Sequence, residues 1–169
     1  MSVAEILETT QYLTFKLDDE VFALDITTVR EVLDFTSVTR VPKTLDFMRG
    51  VINLRGSAVP VIDLRLKFGM TVTEKTVNTC IIIVEVKVGN EPVIVGVLAD
   101  SVQEVMDLGS DQIEPAPKIG AKLNTQFIRG MGKQNDHFVI MLDIDKVFSV
   151  DEIVLVQAQK TDFPKQTGT

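Results

Sequence analysis

The chain has one cysteine, one histidine and no tryptophan. A single thiol, Cys80, forbids an internal disulfide and fits a reducing cytoplasm, which is the expected location. It lies in T-C-I-I-I-V and reads as a small buried apolar residue. His137 follows a polar loop, and no Ser or Cys nucleophile motif accompanies it, so it reads as a solvated histidine rather than a catalytic base. No C-x-x-C, H-E-x-x-H or EF-hand loop occurs, and no metal is expected. No phosphate-binding glycine loop occurs either, so no cofactor is expected. Positive charge is in deficit: 17 basic against 24 acidic residues give a net charge of −7. A phosphate backbone would be repelled on average, which argues against a nucleic-acid partner. Long apolar runs are missing too. Thr76–Val84 and Pro92–Ala99 span nine and eight residues, against about 20 for a membrane helix. No direct membrane insertion is expected. Met1–Thr10 carries two Glu and no basic region, unlike a secretory signal.

What is present is a core. Hydrophobic residues make up 45% of the 169 residues, and mean hydropathy is +0.21, which excludes a mostly disordered chain. The pattern is mostly β. Gln11–Leu17 and Val21–Ile26 alternate around Asp18-Asp19-Glu20, a hairpin signal. Val59–Leu64 predicts another strand, with Pro60 favouring an edge or a strand start. Cys80–Val88 and Val93–Ala99, joined by Gly89-Asn90, are continuous Ile/Val runs suited to strands buried on both faces. Phe138–Ile144 is a further strand. Helix signals are few. Thr27–Leu33 reads as one turn or an irregular strand, and short turns are predicted over Asp63–Phe68 and Asp143–Phe148. Ser149-x-x-Glu152 is a capping-box pattern before Ile153–Val156. Eight or more short strands argue for barrels or a sandwich.

The chain repeats itself. Phe47, Arg49, Gly50, Val59, Asp63 and Phe68 return 80 residues later as Phe127, Arg129, Gly130, Val139, Asp143 and Phe148. Val29, Glu31, Val32 and Asp34 return 73 residues later as Val102, Glu104, Val105 and Asp107. Val38 and Pro42 match Ile113 and Pro117. Two similar β units are implied, at residues 11–75 and 76–157, with a return of the C-terminal segment to the first unit as an alternative and a flexible tail at 158–169. Each alone would bury little core, so they should pack on each other.

Residues shared by the copies should serve the fold. Asp63 and Asp143 therefore read as turn caps rather than an acid–base pair. Arg49, which has a counterpart, reads mainly as half of an internal salt bridge. The turn Asn53-Leu54-Arg55-Gly56 belongs to one copy only. Glycine permits close approach of another backbone, and arginine offers a planar fork to a partner carboxylate. Arg55 is accordingly the best interface residue, while for Val29 and Glu31 core and binding roles compete evenly.

The run V-R-E-V-L-D-F-T-S-V-T-R-V-P and the string N-L-R-G-S-A-V-P-V-I-D-L-R resemble the CheW family of chemotaxis coupling proteins, over roughly Gln11 to Val156. The D-Q-I-E-P-A-P run and the L-D-I-D-K-V-F ending support this. The resemblance implies two five-stranded SH3-like β-barrels with a hydrophobic core between them and no catalysis. It implies a noncatalytic adaptor that couples the cytoplasmic tips of methyl-accepting chemoreceptors to the regulatory domain of the histidine kinase CheA. Association with receptor arrays would follow through those partners. By matching positions, Val29, Glu31, Gly50, Asn53, Arg55 and Gly96 are implied in receptor or partner binding. Thr39, Arg40, Val41 and Pro42 are expected near the kinase. A coupler for another kinase system, or a small-molecule enzyme using the inter-barrel cleft, are the alternatives.

Overall fold

The computed structural model describes residues 9–40, 45–88, 90–115, 127–149 and 151–152. Among the described residues eleven strands are formed: β1 (Thr9–Leu17), β2 (Glu20–Asp25), β3 (Val29–Asp34), β4 (Met48–Leu54), β5 (Ser57–Asp63), β6 (Cys80–Val88), β7 (Glu91–Ala99), β8 (Ser101–Gly109), β9 (Ile113–Glu114), β10 (Ile128–Gln134) and β11 (His137–Leu142). Among the described residues, single-turn helices follow β5 and β11, each begun at an aspartate (Asp63 and Asp143): α1 (Leu64–Lys67) and α2 (Ile144–Val147). The mostly β, SH3-like architecture is as the resemblance implies, except that one of the two sheets has six strands rather than five. The segment beginning at Thr27 resolves into both alternatives. A 3-10 turn spans Ile26–Thr28, capped by the Asp25 carboxylate, and a strand follows. The expectations for Pro42, Pro117, Ile153–Val156 and the tail lie outside the described residues.

One sheet has the order β3-β6-β7-β5-β4 and the other β8-β1-β2-β11-β10-β9. Shifted along the repeat, these are the same sheet. The register confirms it. Leu33 pairs with Ile81 as Met106 pairs with Tyr12, and Gly50 pairs with Val61 as Gly130 pairs with Met141. Each sheet has one parallel contact, β5 with β7 and β11 with β2. Each is drawn towards closure by the segment after its V-x-E strand. Thr39 bridges the outer edge of β4, and β9 pairs with the outer edge of β10.

A cut between residues 75 and 76 separates the copies of the repeat but not the sheets. The hairpin β1–β2 from the first half lies in the sheet built by β8–β11, and β6–β7 from the second half lies with β3–β5. The copies have exchanged their hairpins. A repeat spacing reveals which segments are equivalent, but not which copy's segment each one pairs with.

Pro60 also departs from expectation, since β5 is an inner strand. Its neighbour across β4, Val51, turns its N–H and C=O outward to Thr39, both at 2.8 Å. No amide is therefore required of Pro60 on that side, and pairing with β7 starts only at Val61.

Three apolar clusters result. Ile81, Ile83 and Leu98 with Ile52, Val59 and Val61 fill one barrel. Tyr12, Ala23, Leu108, Val139 and Met141 fill the other. The opposite faces of the same strands, including Ile82, Val84, Val97, Phe15 and Leu24, meet in a larger cluster between the sheets. Two-sided burial explains the unbroken Ile/Val runs. Because the seam is the largest core, neither barrel keeps its apolar surface covered without the other.

The capping box is present. Ser149 Oγ accepts from the Glu152 N–H at 3.0 Å, and the Glu152 carboxylate accepts from the Ser149 N–H at 2.8 Å. Burial pushes the Glu152 carboxyl up. That is the largest single influence, but the hydrogen bond from Lys67, the Ser149 bonds and the Lys67 charge together outweigh it and hold the group below its ordinary 4.5. A folded-state value below the unfolded one stabilises above that ordinary value, and the effect is lost as pH falls through the folded value. Wild type is therefore expected to melt above Glu152→Gln at neutral pH, with the gap closing as pH falls below 4.5. Melting curves of both proteins across that window check it, and a gap independent of pH contradicts it.

Candidate functional site

The unrepeated turn is a two-residue hairpin connection. Leu54 pairs with Ser57, leaving Arg55 and Gly56 at the tip with φ of +51° and +88°. Two positive φ values are what a tight primed hairpin turn demands. Gly56 meets this at no cost, whereas Arg55 adopts a conformation that Asn, Asp and Gly enter far more readily. Asn53 Oδ1 accepts from the Gly56 N–H at 2.7 Å and braces the tip.

Arg55 reaches across the open side of the barrel to Glu31 on β3. One guanidinium nitrogen donates to both carboxylate oxygens, at 2.8 and 2.7 Å. The Arg55 side chain is 69% exposed and Glu31 29% exposed. An ion pair this wet contributes about 0–1 kcal/mol, so it does not account for a residue ill-suited to its turn. In the second barrel the counterpart is neutral on one side. Gln134 donates to Glu104 at 3.1 Å, and Asn135, itself at φ +56°, stands where Arg55 does.

The other expected residues are placed as follows. Val29 is half-buried and packs on the seam core. Arg30 beside it pairs with Glu85. Gly50 and Gly96 are buried and present no surface to a partner. A Cβ on Gly96 would stand 2.8 Å from Ile81 Cγ2, inside the first barrel. A Cβ on Gly50 would stand 2.1 Å from the Thr39 carbonyl oxygen. Gly50 therefore lets the segment carrying Val38, Thr39 and Arg40 lie against β4. Thr39 and Arg40 are exposed there, and Val41 and Pro42 lie outside the described residues. Structure thus brings Glu31, Asn53 and Arg55 to one surface and assigns the two glycines to shaping the barrel.

Arg49 and Asp63 are internal, as their repetition suggests. The buried Asp63 carboxylate caps α1 through the Arg65 N–H, accepts from both the N–H and hydroxyl of Thr73, and pairs with Arg49 at 3.1 Å. Asp143 occupies the same cap position without the side-chain cap bond.

A polar cavity of about 370 Å³ lies beside the start of β3, lined by Asp25, Thr28, Glu85, Arg129, Asp143 and Asp145 among others. Its charged groups are engaged with the protein. Arg129 meets Asp25 at 3.5 Å, and Asp145 accepts from the Lys87 N–H. Among the described residues no group of three His, Cys, Asp or Glu is arranged to hold a metal ion. Cys80 is half-buried, and burial pushes its thiol above its ordinary value, which disfavours the nucleophilic thiolate. No helix of the described residues is long and apolar enough to cross a membrane.

Comparison with known proteins agrees with this picture. The CheW-like domain matches residues 11–152. The chain is similar to the chemotaxis protein CheW of Klebsiella aerogenes, 38% identical over 146 residues, covering 86% of each chain. It is similar to CheW of Thermotoga maritima, 31% identical over 157 residues, covering 91% of this chain and 96% of that one. Its fold is similar to the crystal structure of the scaffolding protein TtCheW from Thermoanaerobacter tengcongensis. There the TM-score is 0.74 and the identity 35%, over 85% of this chain and 94% of that one. The repeated barrels, the turn they do not share and these relatives lead to one conclusion: the chain belongs to the CheW-like domain family and is a noncatalytic scaffold of chemotaxis.

Proposed function

We propose that this scaffold links the cytoplasmic tip of a methyl-accepting chemoreceptor to the regulatory domain of a CheA-type histidine kinase, so that receptors control kinase activity. The observation that carries the proposal is the Arg55 turn. A cation stands on a strained tip, aimed over Glu31, where the second barrel has the neutral Asn135. A receptor tip is a helical bundle with an amphipathic surface. Val29 supplies apolar contact, and Glu31 and Arg55 set register through charge, which governs specificity more than raw affinity. Asn53 braces the turn that presents Arg55. Gly50 and Gly96 act by shaping the barrel. The exposed Thr39–Arg40 segment, with Val41 and Pro42 after it, is the surface proposed for the kinase. Individually weak contacts suffice in an array, where avidity multiplies them.

Sedimentation of the chain mixed with the kinase regulatory domain and a receptor-tip fragment tests the linkage. A ternary complex is the expected result. Binding of one partner that displaces the other overturns it, because a connector must hold both at once.

A further inference from the structure

The phenylalanines that repeat at a spacing of 80 pack across copies rather than within them. Phe47 meets Phe148 with ring centroids 6.1 Å apart, and Phe68 meets Phe127 at 5.8 Å. The repeat turns one contact into the other, so together they mark the seam where the copies are related. One position there breaks the relation. Val147 is fully buried, and its counterpart is Lys67. The Lys67 ammonium stands 4.9 Å from the Phe47 centroid and 5.6 Å from that of Phe127, one ring from each copy. Its side chain is only 13% exposed.

An ammonium so placed is costly unless paired, and cation–π contacts offset only part of the lost hydration. The pairing carboxylate comes from far along the chain. Glu152 Oε2 accepts from Lys67 Nζ at 2.6 Å, across 85 positions. Glu152 is itself oriented by the reciprocal Ser149 bonds. A valine at position 67, like Val147, would pack the seam with no partner. Lysine makes the seam conditional on the turn that delivers Glu152.

We propose that the Lys67–Glu152 pair is a latch across the seam. With Glu152 on Lys67, the cation is held among Phe47 and Phe127 and the barrels keep one relative setting. With Glu152 withdrawn, the ammonium moves to water, and the Phe47–Phe148 and Phe68–Phe127 contacts loosen. The barrel interiors, which are separate apolar clusters, stay packed.

Two amides report on the seam. Asp63 donates to the Phe47 carbonyl at 2.7 Å, and Asp143 donates to the Phe127 carbonyl at 2.9 Å. Hydrogen exchange of the full chain is compared for wild type, Glu152→Gln, Lys67→Met and the double variant. Glu152→Gln is expected to speed exchange at these two amides about fivefold or more, with Ile81–Ile83 and Val139–Met141 unchanged. Adding Lys67→Met removes the buried charge and is expected to restore protection. Three results overturn the latch: unchanged exchange at the seam in Glu152→Gln, equal acceleration throughout the chain, or a double variant as fast as Glu152→Gln alone.

Discussion

Gly50→Ala is expected to lower the melting temperature by about 10 °C, the largest effect of any single methyl addition among the glycines discussed. Two costs add. The backbone at Gly50 has φ +143°, which L-residues rarely adopt, and such strain costs about 1–3 kcal/mol. The new Cβ would also sit 2.1 Å from the Thr39 carbonyl oxygen and 2.7 Å from its carbon. Backbone cannot yield as a side chain can, so relief requires breaking the Thr39–Val51 pair that closes the barrel edge. The total is about 3–5 kcal/mol, a large share of the 5–15 kcal/mol that holds a domain together. Gly130→Ala should cost less, because its Cβ would meet Ile113 Cγ2 at 2.8 Å and the Glu114 carbonyl oxygen at 3.0 Å. Gly56→Ala should cost about 1 kcal/mol, from conformation alone, since nothing lies within 4 Å of its Cβ. Thermal denaturation of the three variants checks the order. Equal stability of Gly50→Ala and Gly56→Ala would refute the close approach.

Arg55→Asn is expected to separate binding from folding. Asparagine suits a positive φ, and the lost ion pair with Glu31 is an exposed one, so the melting temperature should stay within a few degrees of wild type. Affinity for the receptor tip should fall at least tenfold. Truncating a charge that pairs across an interface costs about 2–5 kcal/mol, and 1.4 kcal/mol is already tenfold. A charge swap sharpens the test. Glu31→Arg with Arg55→Glu rebuilds the pair within the barrel but reverses what a partner meets. If the swap restores binding, the pair serves only the fold. The account predicts that the swap folds and does not bind.

Much of this was legible in the chain. The spacings of 80, 73 and 75 gave the plan of two similar units and, at 75, the equivalence of Val38 with Ile113, each of which packs its side chain towards the glycine of its copy. The Asp63 cap and the Ser149–Glu152 capping box followed from local hydrogen-bonding chemistry, whereas Asp143 stands in the cap position without the expected side-chain bond. The hairpin exchange was not legible, because β1–β2 and β6–β7 have the same pattern and either could complete either sheet. For Gly50 and Gly96 the motif pointed to binding, and the structure buries both. A motif records that a glycine is required, and only the backbone running past it shows whether a partner or the fold requires it. Lys67 was missed although the signal existed. It is a place where the copies differ, as Arg55 is, but it lies in an L-x-L-x-F setting that reads as a helix surface. Only the seam reveals that most of this lysine is covered.

Titration calorimetry of the full chain, wild type and Arg55→Asn, into the kinase regulatory domain and into the receptor tip bears most directly on the adaptor claim. The account predicts one-to-one binding of wild type to both, at micromolar affinity or tighter, about −8 kcal/mol. It predicts that Arg55→Asn keeps the kinase and loses the receptor. Folded protein that binds neither partner, or an Arg55→Asn variant that binds the receptor as wild type does, contradicts it.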